Sequence, residues 1–136
     1  MKCNIASSLY RGAFLVYRHG LLRKGLGLCH GVAGSVYALL TVADVSHEIK
    51  IRVGGESARD LDYLAAAIHL SVLATHVDEL VEQGKMGTPD RPWSLYEGRA
   101  GMCCAWAEVL YKMQAASSGE AIGSGMIGYS DIAIEP

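Results

Sequence analysis

Proline is scarce, at 3 residues against 16 glycines, so neither collagen-like order nor a Pro/Gly-rich disordered composition describes the chain. A basic run is missing too. The 12 Lys+Arg face 14 Asp+Glu for a net charge of -2, which leaves no electrostatic footprint for a phosphate backbone and excludes nucleic acid as an expected partner. Sustained period-two alternation is absent, although IKIRV, Ile49 to Val53, reads as a short strand. No signal-peptide apolar core precedes Arg18, where Gly12 to Tyr17 is the only uninterrupted apolar run, and no glycine follows Met1 to accept a myristoyl group. The expected location is therefore the cytoplasm, with room for peripheral membrane association. In that reducing compartment Cys3, Cys29, Cys103 and Cys104 are expected as free thiols.

What is present fits one globular domain: 136 residues, 51% of them hydrophobic and 19% charged. Gly25 to Ala43 carries no formal charge over 19 residues, nominally enough to span a bilayer. It contains Gly25, Gly27, Gly31, Gly34 and His30, so a transmembrane segment is not expected.

Apolar spacing predicts four helices. Ile5, Leu9, Ala13 and Val16 define one from about Asn4 to His19, stopped by Gly20. Val36, Leu39, Leu40 and Ala43 define a second, starting beside Gly31 and ending near Asp44. A longer helix is predicted from an N-cap at Ser57, with Asp60 three residues on, to Gly84. Its Leu61, Leu64, Ile68 and Val72 on one side, and Leu70, Leu73, Val77 and Leu80 on another, predict two packing neighbours. The last helix follows Gly98, carries Met102, Trp106, Val109, Leu110 and Met113, and ends at Ser117, Ser118 and Gly119.

An internal repeat emerges at an offset of 67 residues. Leu28, Gly31, Ala33, Gly34, Ala38 and Val42 recur as Leu95, Gly98, Ala100, Gly101, Ala105 and Val109. A G-x-A-G core in register predicts two copies of one unit, a helix, a Gly-rich loop and a second helix, in which the glycines admit a neighbouring backbone. Two such units leave apolar faces uncovered, because repeat arrays generally need about three or more. The chain is therefore expected to be part of a larger helical assembly and, when isolated, to self-associate through its exposed edge.

In the first loop, Cys29-His30 stands where the second copy has Tyr96-Glu97. Sulfur and imidazole suit zinc, although a lone Cys-His pair supplies only two ligands, and a free cysteine is often a small buried hydrophobe. The surrounding GLLRKGLGLCHGVAGSVYALL, Gly20 to Leu40, resembles the C-terminal half of lanthionine synthetase C-like proteins around their Cys-His-Gly zinc motif. TPDRPWSLYEGRAG, Thr88 to Gly101, resembles the family's second motif, S-L-[FY]-E-G-x-A-G, with its preceding T-P-D-x-P. The tail GSGMIGYSDI, Gly123 to Ile132, is similar to the end of eukaryotic, in particular fungal, members.

The resemblance implies an all-α fold. The chain would be the last two or so helix pairs of an α/α toroid of seven, a C-terminal domain portion over residues 1–136 with an insertion at 45–60 and a tail at 119–136. It also implies zinc held by Cys29 and His30, with glutathione or a peptide cysteine as the thiol that adds to dehydroalanine or dehydrobutyrine residues of a dehydrated peptide or protein. Lys24 resembles the family lysine beside bound glutathione and Glu97 matches the second motif's glutamate, giving both a place in catalysis and Lys24 one in cofactor binding. Taken alone, Lys24 equally fits a solvated loop lysine and Glu97 a carboxylate favoured by a helix N-terminus.

The sequence departs from the family in two places. The upstream W-C-x-G motif, source of the third zinc ligand, does not occur. Cys3 lies only 26 positions before Cys29, and Cys103 and Cys104 fall within a helix, so neither Cys3 nor Cys104 is expected to replace it. The segment Glu48 to Asp62 separates helices that the family joins more directly, as an insertion or as a gene-model error would. A non-catalytic helical-repeat binding module or truncated gene product is the alternative reading. A sugar hydrolase finds no acid and nucleophile carboxylate pair. His19, His47, His69 and His76 carry no motif and are expected on helix surfaces, and Trp93 and Trp106 are expected to pack.

Overall fold

The computed structural model describes residues 2–53 and 62–118. Ser57, Asp60 and the tail motif Gly123 to Ile132 lie outside the described residues, as do the side chains of Cys3 and His47. Five helices follow in order: α1 (Lys2–His19), α2 (Val32–Val53), α3 (Tyr63–Thr75), α4 (Val77–Glu82) and α5 (Arg99–Ser118). Among the described residues there is no strand, so the all-helical expectation holds.

The centre of the array is α2, which packs against α1, α3 and α5, while α3 also meets α1 and α5. Val32, Val36, Leu39 and Leu40 are fully buried along it. Fully burying such side chains contributes roughly 1.5–3 kcal/mol each, which makes this stripe the main apolar source of stability. Ala13 of α1, Ala67, Leu70 and Ala74 of α3, and Met102 and Ala105 of α5 close around it. The indole Nε1 of Trp106 donates to the Ser71 carbonyl at 2.9 Å and ties α5 to α3.

Three sequence expectations change. Ile49 to Val53 is the last turn of α2 rather than a strand. Its β-branched residues follow a helix with no stop signal, and propensity for strand is weak without a partner. Accordingly α2 runs nine residues past Asp44, and residues 45–53 of the segment read as an insertion extend that helix.

The third helix does not run unbroken from Ser57 to Gly84. Instead, α3 opens at Tyr63, where Asp62 accepts from the Ala65 amide at 3.0 Å as N-cap. It breaks at His76, which caps α3 and starts α4. His69 and His76 are both exposed, as expected of helix-surface histidines. Gly84, at φ +66, then turns the chain in the left-handed region after α4. Finally, Trp93 does not pack inside: it is 73% exposed, with the Arg99 guanidinium over its ring at 5.2 Å.

The 67-residue repeat is visible in the hydrogen bonds. Val32 N–H donates to the Gly25 carbonyl at 3.1 Å, and the equivalent Arg99 N–H donates to the Pro92 carbonyl at 2.8 Å. A Cβ at Gly34 would collide with the Leu28 carbonyl, and one at the equivalent Gly101 with the Leu95 carbonyl. Both helix entrances are thus the same tight turn, and glycine is the residue that lets the turn close onto its own helix. No helix among the described residues is long and apolar enough to cross a membrane. The uncharged run Gly25 to Ala43 divides between the first turn and the start of α2.

Candidate functional site

The two entrance turns lie side by side. Leu28 N–H donates to the Leu95 carbonyl at 3.4 Å and Cys29 N–H to the Tyr96 carbonyl at 2.9 Å. Gly27 allows this approach, because a Cβ there would meet the Tyr96 carbonyl and the Glu97 backbone. The second turn is braced internally: the Glu97 amide donates to Ser94 Oγ at 3.2 Å and the Gly98 amide to the Ser94 carbonyl at 3.0 Å. From outside, Arg99 pairs with Asp78 of α4. This pair is solvent-exposed, so it contributes at most about 1 kcal/mol and acts mainly on orientation.

A second set of contacts joins the first turn to the stretch between α4 and α5. Gly87 N–H donates to the Arg23 carbonyl at 2.6 Å, and Arg23 Nη2 donates to the Gly84 carbonyl at 3.1 Å. Between these seams lies a cleft of about 420 Å³. Arg23, Lys24, His30 and Gly31 form one wall; Gly87, Thr88, Pro89, Asp90 and Glu97 form the other. It carries two cationic side chains and two carboxylates, a mixed-charge lining suited to a small polar ligand with groups of both signs.

Four residues singled out from the sequence are brought together here. Lys24, His30 and Glu97 line the cleft, and Cys29 adjoins it with Sγ 3.3 Å from His30 Nε2. Cys29 and His30 are exposed and Glu97 is half-buried. The separation is compatible with two ligands of one metal ion, since Zn–S near 2.3 Å and Zn–N near 2.0–2.1 Å at a tetrahedral angle would set sulfur and nitrogen roughly 3.5 Å apart.

Neither Cys103, exposed on α5, nor the half-buried Cys104 joins them. Among the described residues no three His, Cys, Asp or Glu side chains converge on one point. In the sequence Arg23, Thr88 and Asp90 are distinguished only as letters of the two motifs. Their role as cleft walls depends on the backbone seams, and the signal available was their place beside Lys24 and within T-P-D-x-P.

A double turn-and-helix unit with a Cys-His pair at one turn and a Glu at the other defines a helical-repeat protein with a candidate metal and thiol site. The sequence profile of lanthionine synthetase C-like protein matches residues 2–119, and the chain belongs to that family. It is 32% identical over 103 residues to glutathione S-transferase LANCL1 of Danio rerio, a match that covers 74% of this chain and 21% of that protein. The chain thus spans about a fifth of the length of this curated relative. No solved structure matches it.

Proposed function

We propose that this chain carries the zinc-binding and thiol-orienting part of a lanthionine synthetase C-like site in the cytoplasm. In this reading Cys29 and His30 hold zinc, and a thiol, either glutathione or a peptide cysteine, adds to dehydroalanine or dehydrobutyrine residues of a peptide or protein. The observation that carries it is the 3.3 Å pairing of Cys29 Sγ with His30 Nε2 at the edge of a cleft holding Lys24 and Glu97. The relative named as a glutathione S-transferase supports glutathione as the thiol.

Addition needs a thiolate, and a thiol of pKa near 8.5 is only a few per cent ionised at neutral pH. Zinc, when bound, supplies the positive charge that keeps a thiol ionised. The thiolate forms a C–S bond at the β-carbon of the dehydrated residue, the alkene electron pair moves onto the adjacent carbonyl as an enolate, and the α-carbon then takes up a proton, replacing the one the thiol lost. Lys24 offers an ammonium group that pairs with a substrate carboxylate or with the developing enolate. Glu97, in the opposite wall, accepts a hydrogen bond from a substrate ammonium or amide and orients it.

One observation favours a second reading, a non-catalytic helical-repeat module: no third ligand joins Cys29 and His30 among the described residues. Zinc content by atomic emission after desalting separates the two. Near-stoichiometric zinc that disappears in Cys29→Ala and His30→Ala, together with mass-spectrometric detection of glutathione on a dehydroalanine peptide, is the expected result. A chain that binds no zinc is not catalytic in this form, and the module reading replaces the first.

A further inference from the structure

The second wall of the cleft is held at its ends. Thr88, Pro89 and Asp90 line the cleft, yet none of the three hydrogen-bonds to another described residue. On one side the Gly87 amide donates to the Arg23 carbonyl at 2.6 Å. On the other, Pro92 is fixed by Arg99, whose amide donates to the Pro92 carbonyl at 2.8 Å. A Cβ at the preceding Gly98 would run into that same carbonyl, so the turn is closed tightly against this end of the wall.

Arg99 adds two contacts through its side chain. Its guanidinium lies over the Trp93 ring at 5.2 Å from the centroid, and its Nη2 pairs with Asp78 of α4. One residue thus joins α5, α4 and the segment that ends the wall. The arrangement needs a planar cation: the face of a guanidinium stacks on an indole while its edge donates to a carboxylate, whereas an ammonium is a point charge that cannot serve both in this layout. The first repeat holds the same positions differently. The equivalents of Trp93 and Arg99 there are Leu26 and Val32, both buried, so core packing stands in the first turn where a stacked cation stands in the second.

We infer that Arg99 is a positioning residue of the cleft. With Trp93 stacked against it and Asp78 at its edge, it sets how far Thr88 and Asp90 stand from Lys24 and His30, and so how tightly the cleft grips its ligand. Arg99 does not line the cleft; it acts through the wall. That the ligand is glutathione rests on the function proposed above, whereas the positioning of the wall does not.

Amide hydrogen exchange, followed by NMR on the full chain, tests the wall directly. In Arg99→Lys the Gly87 amide, at the far end of the wall, is expected to exchange about twofold to fivefold faster, the share of protection that an exposed cation–π contact supplies. The Cys29 amide and the zinc content are expected to stay as in wild type. Trp93→Ala should reproduce the change, Trp93→Phe should largely prevent it because a ring remains, and Trp93→Ala with Arg99→Lys should be no worse than either alone. Asp78→Ala, on the exposed side of α4, moves Gly87 in the same direction and serves should Arg99→Lys fold poorly. Equal acceleration at Cys29 and Gly87 overturns the inference, since Arg99 would then be bracing the fold as a whole, and so do single effects that add in the double variant. Calorimetry supplies the second arm. Glutathione affinity is expected to fall by a similar factor in Arg99→Lys at unchanged zinc content, and an unchanged affinity overturns the link from wall to ligand. A wild-type chain that takes up no glutathione counts against the proposed function alone, and exchange at Gly87 still decides the role of Arg99.

Discussion

The Cys29 amide is hydrogen-bonded to the Tyr96 carbonyl at 2.9 Å, and these two residues occupy the same position of successive repeats. The backbone that presents the candidate zinc ligands is thus held by the following repeat as well as by its own helix. Local geometry at Cys29 and His30 is a product of repeat pairing, and whatever separates the turns changes the site.

Gly27→Ala is the direct test of that coupling. The new methyl would enter the Tyr96 carbonyl and Glu97 backbone, neither of which can swing aside as a side-chain end would. The turns must part, with an expected cost of roughly 1–3 kcal/mol, in the range of overpacking, and loss of zinc beyond what instability explains. Gly12→Ala in α1 is the matched control, because nothing lies within 4 Å of a Cβ there. In a helix interior that change is expected to stabilise by about 0.5–1 kcal/mol. Thermal melts of both variants, read beside their zinc content, check the pair.

Lys112 of α5, only 6% exposed, donates to Asp44 Oδ1 of α2 at 2.7 Å. Its position is equivalent to that of the half-buried Val45 in the first repeat, so an ion-paired lysine stands in one repeat where the other has an apolar side chain. Lys112→Ala leaves the Asp44 carboxylate largely enclosed without this partner, and a loss of about 3 kcal/mol is expected. Adding Asp44→Leu to Lys112→Met should recover most of it, because two apolar side chains carry no desolvation penalty. Urea unfolding of the single and double variants measures the difference; a double variant no more stable than Lys112→Ala would contradict this account.

How far the sequence foretold all this depends on whether the information was local. The repeat was readable because Gly34 and Gly101 solve the same close approach to a preceding carbonyl, and only glycine solves it. Cys29, His30, Lys24 and Glu97 were readable as members of two motifs, but their convergence depends on long-range seams such as Gly87 to Arg23 that leave no periodic trace. The break at His76 was hidden because apolar residues continue across it, from Leu73 to Val77 and Leu80. At the end of α2, IKIRV carries strand-like alternation, and nothing in five residues says that a helix is arriving from upstream. Trp93 was misplaced since an indole that stacks under a guanidinium at the surface has the same local sequence signature as one that packs inside.

Tyr37 gives the fold a pH dependence on the alkaline side. Buried to 3% exposure in α2, its phenol is pushed up to about 12, first by burial and then by the nearby Cys104 and Glu108, which disfavour a phenolate. A raised folded-state pKa means that the neutral phenol contributes stability that is fully present below the unfolded value of 10.0 and is lost as pH rises through about 12. Between these values stability should fall by up to about 1.4 kcal/mol per pH unit from this group. Tyr63, raised in the same direction by burial and by Tyr10, adds to the slope. Tyr37→Phe is expected to flatten the profile between pH 10 and pH 12 relative to wild type, as read by denaturant midpoints across that window.

The last prediction separates the cleft's charges from its metal. Lys24 is exposed, lines the wall with Arg23, and is not a zinc donor in the proposed site. Lys24→Met keeps the length and apolar stem of the side chain while removing the ammonium group, so Cys29 and His30 should hold zinc as before. Capture of glutathione should weaken about fivefold to tenfold, the loss of roughly 1 kcal/mol expected for one exposed charge pair. Because that contribution is Coulombic, the wild-type affinity should fall with added salt, and the variant should show a smaller dependence. Arg23→Met is expected to behave differently: its Nη2 also holds the Gly84 carbonyl at 3.1 Å, so the opposite wall loosens and weakening should persist at high salt. Calorimetric titration at two ionic strengths distinguishes these outcomes. Equal salt dependence in wild type and Lys24→Met would place the bound carboxylates away from Lys24.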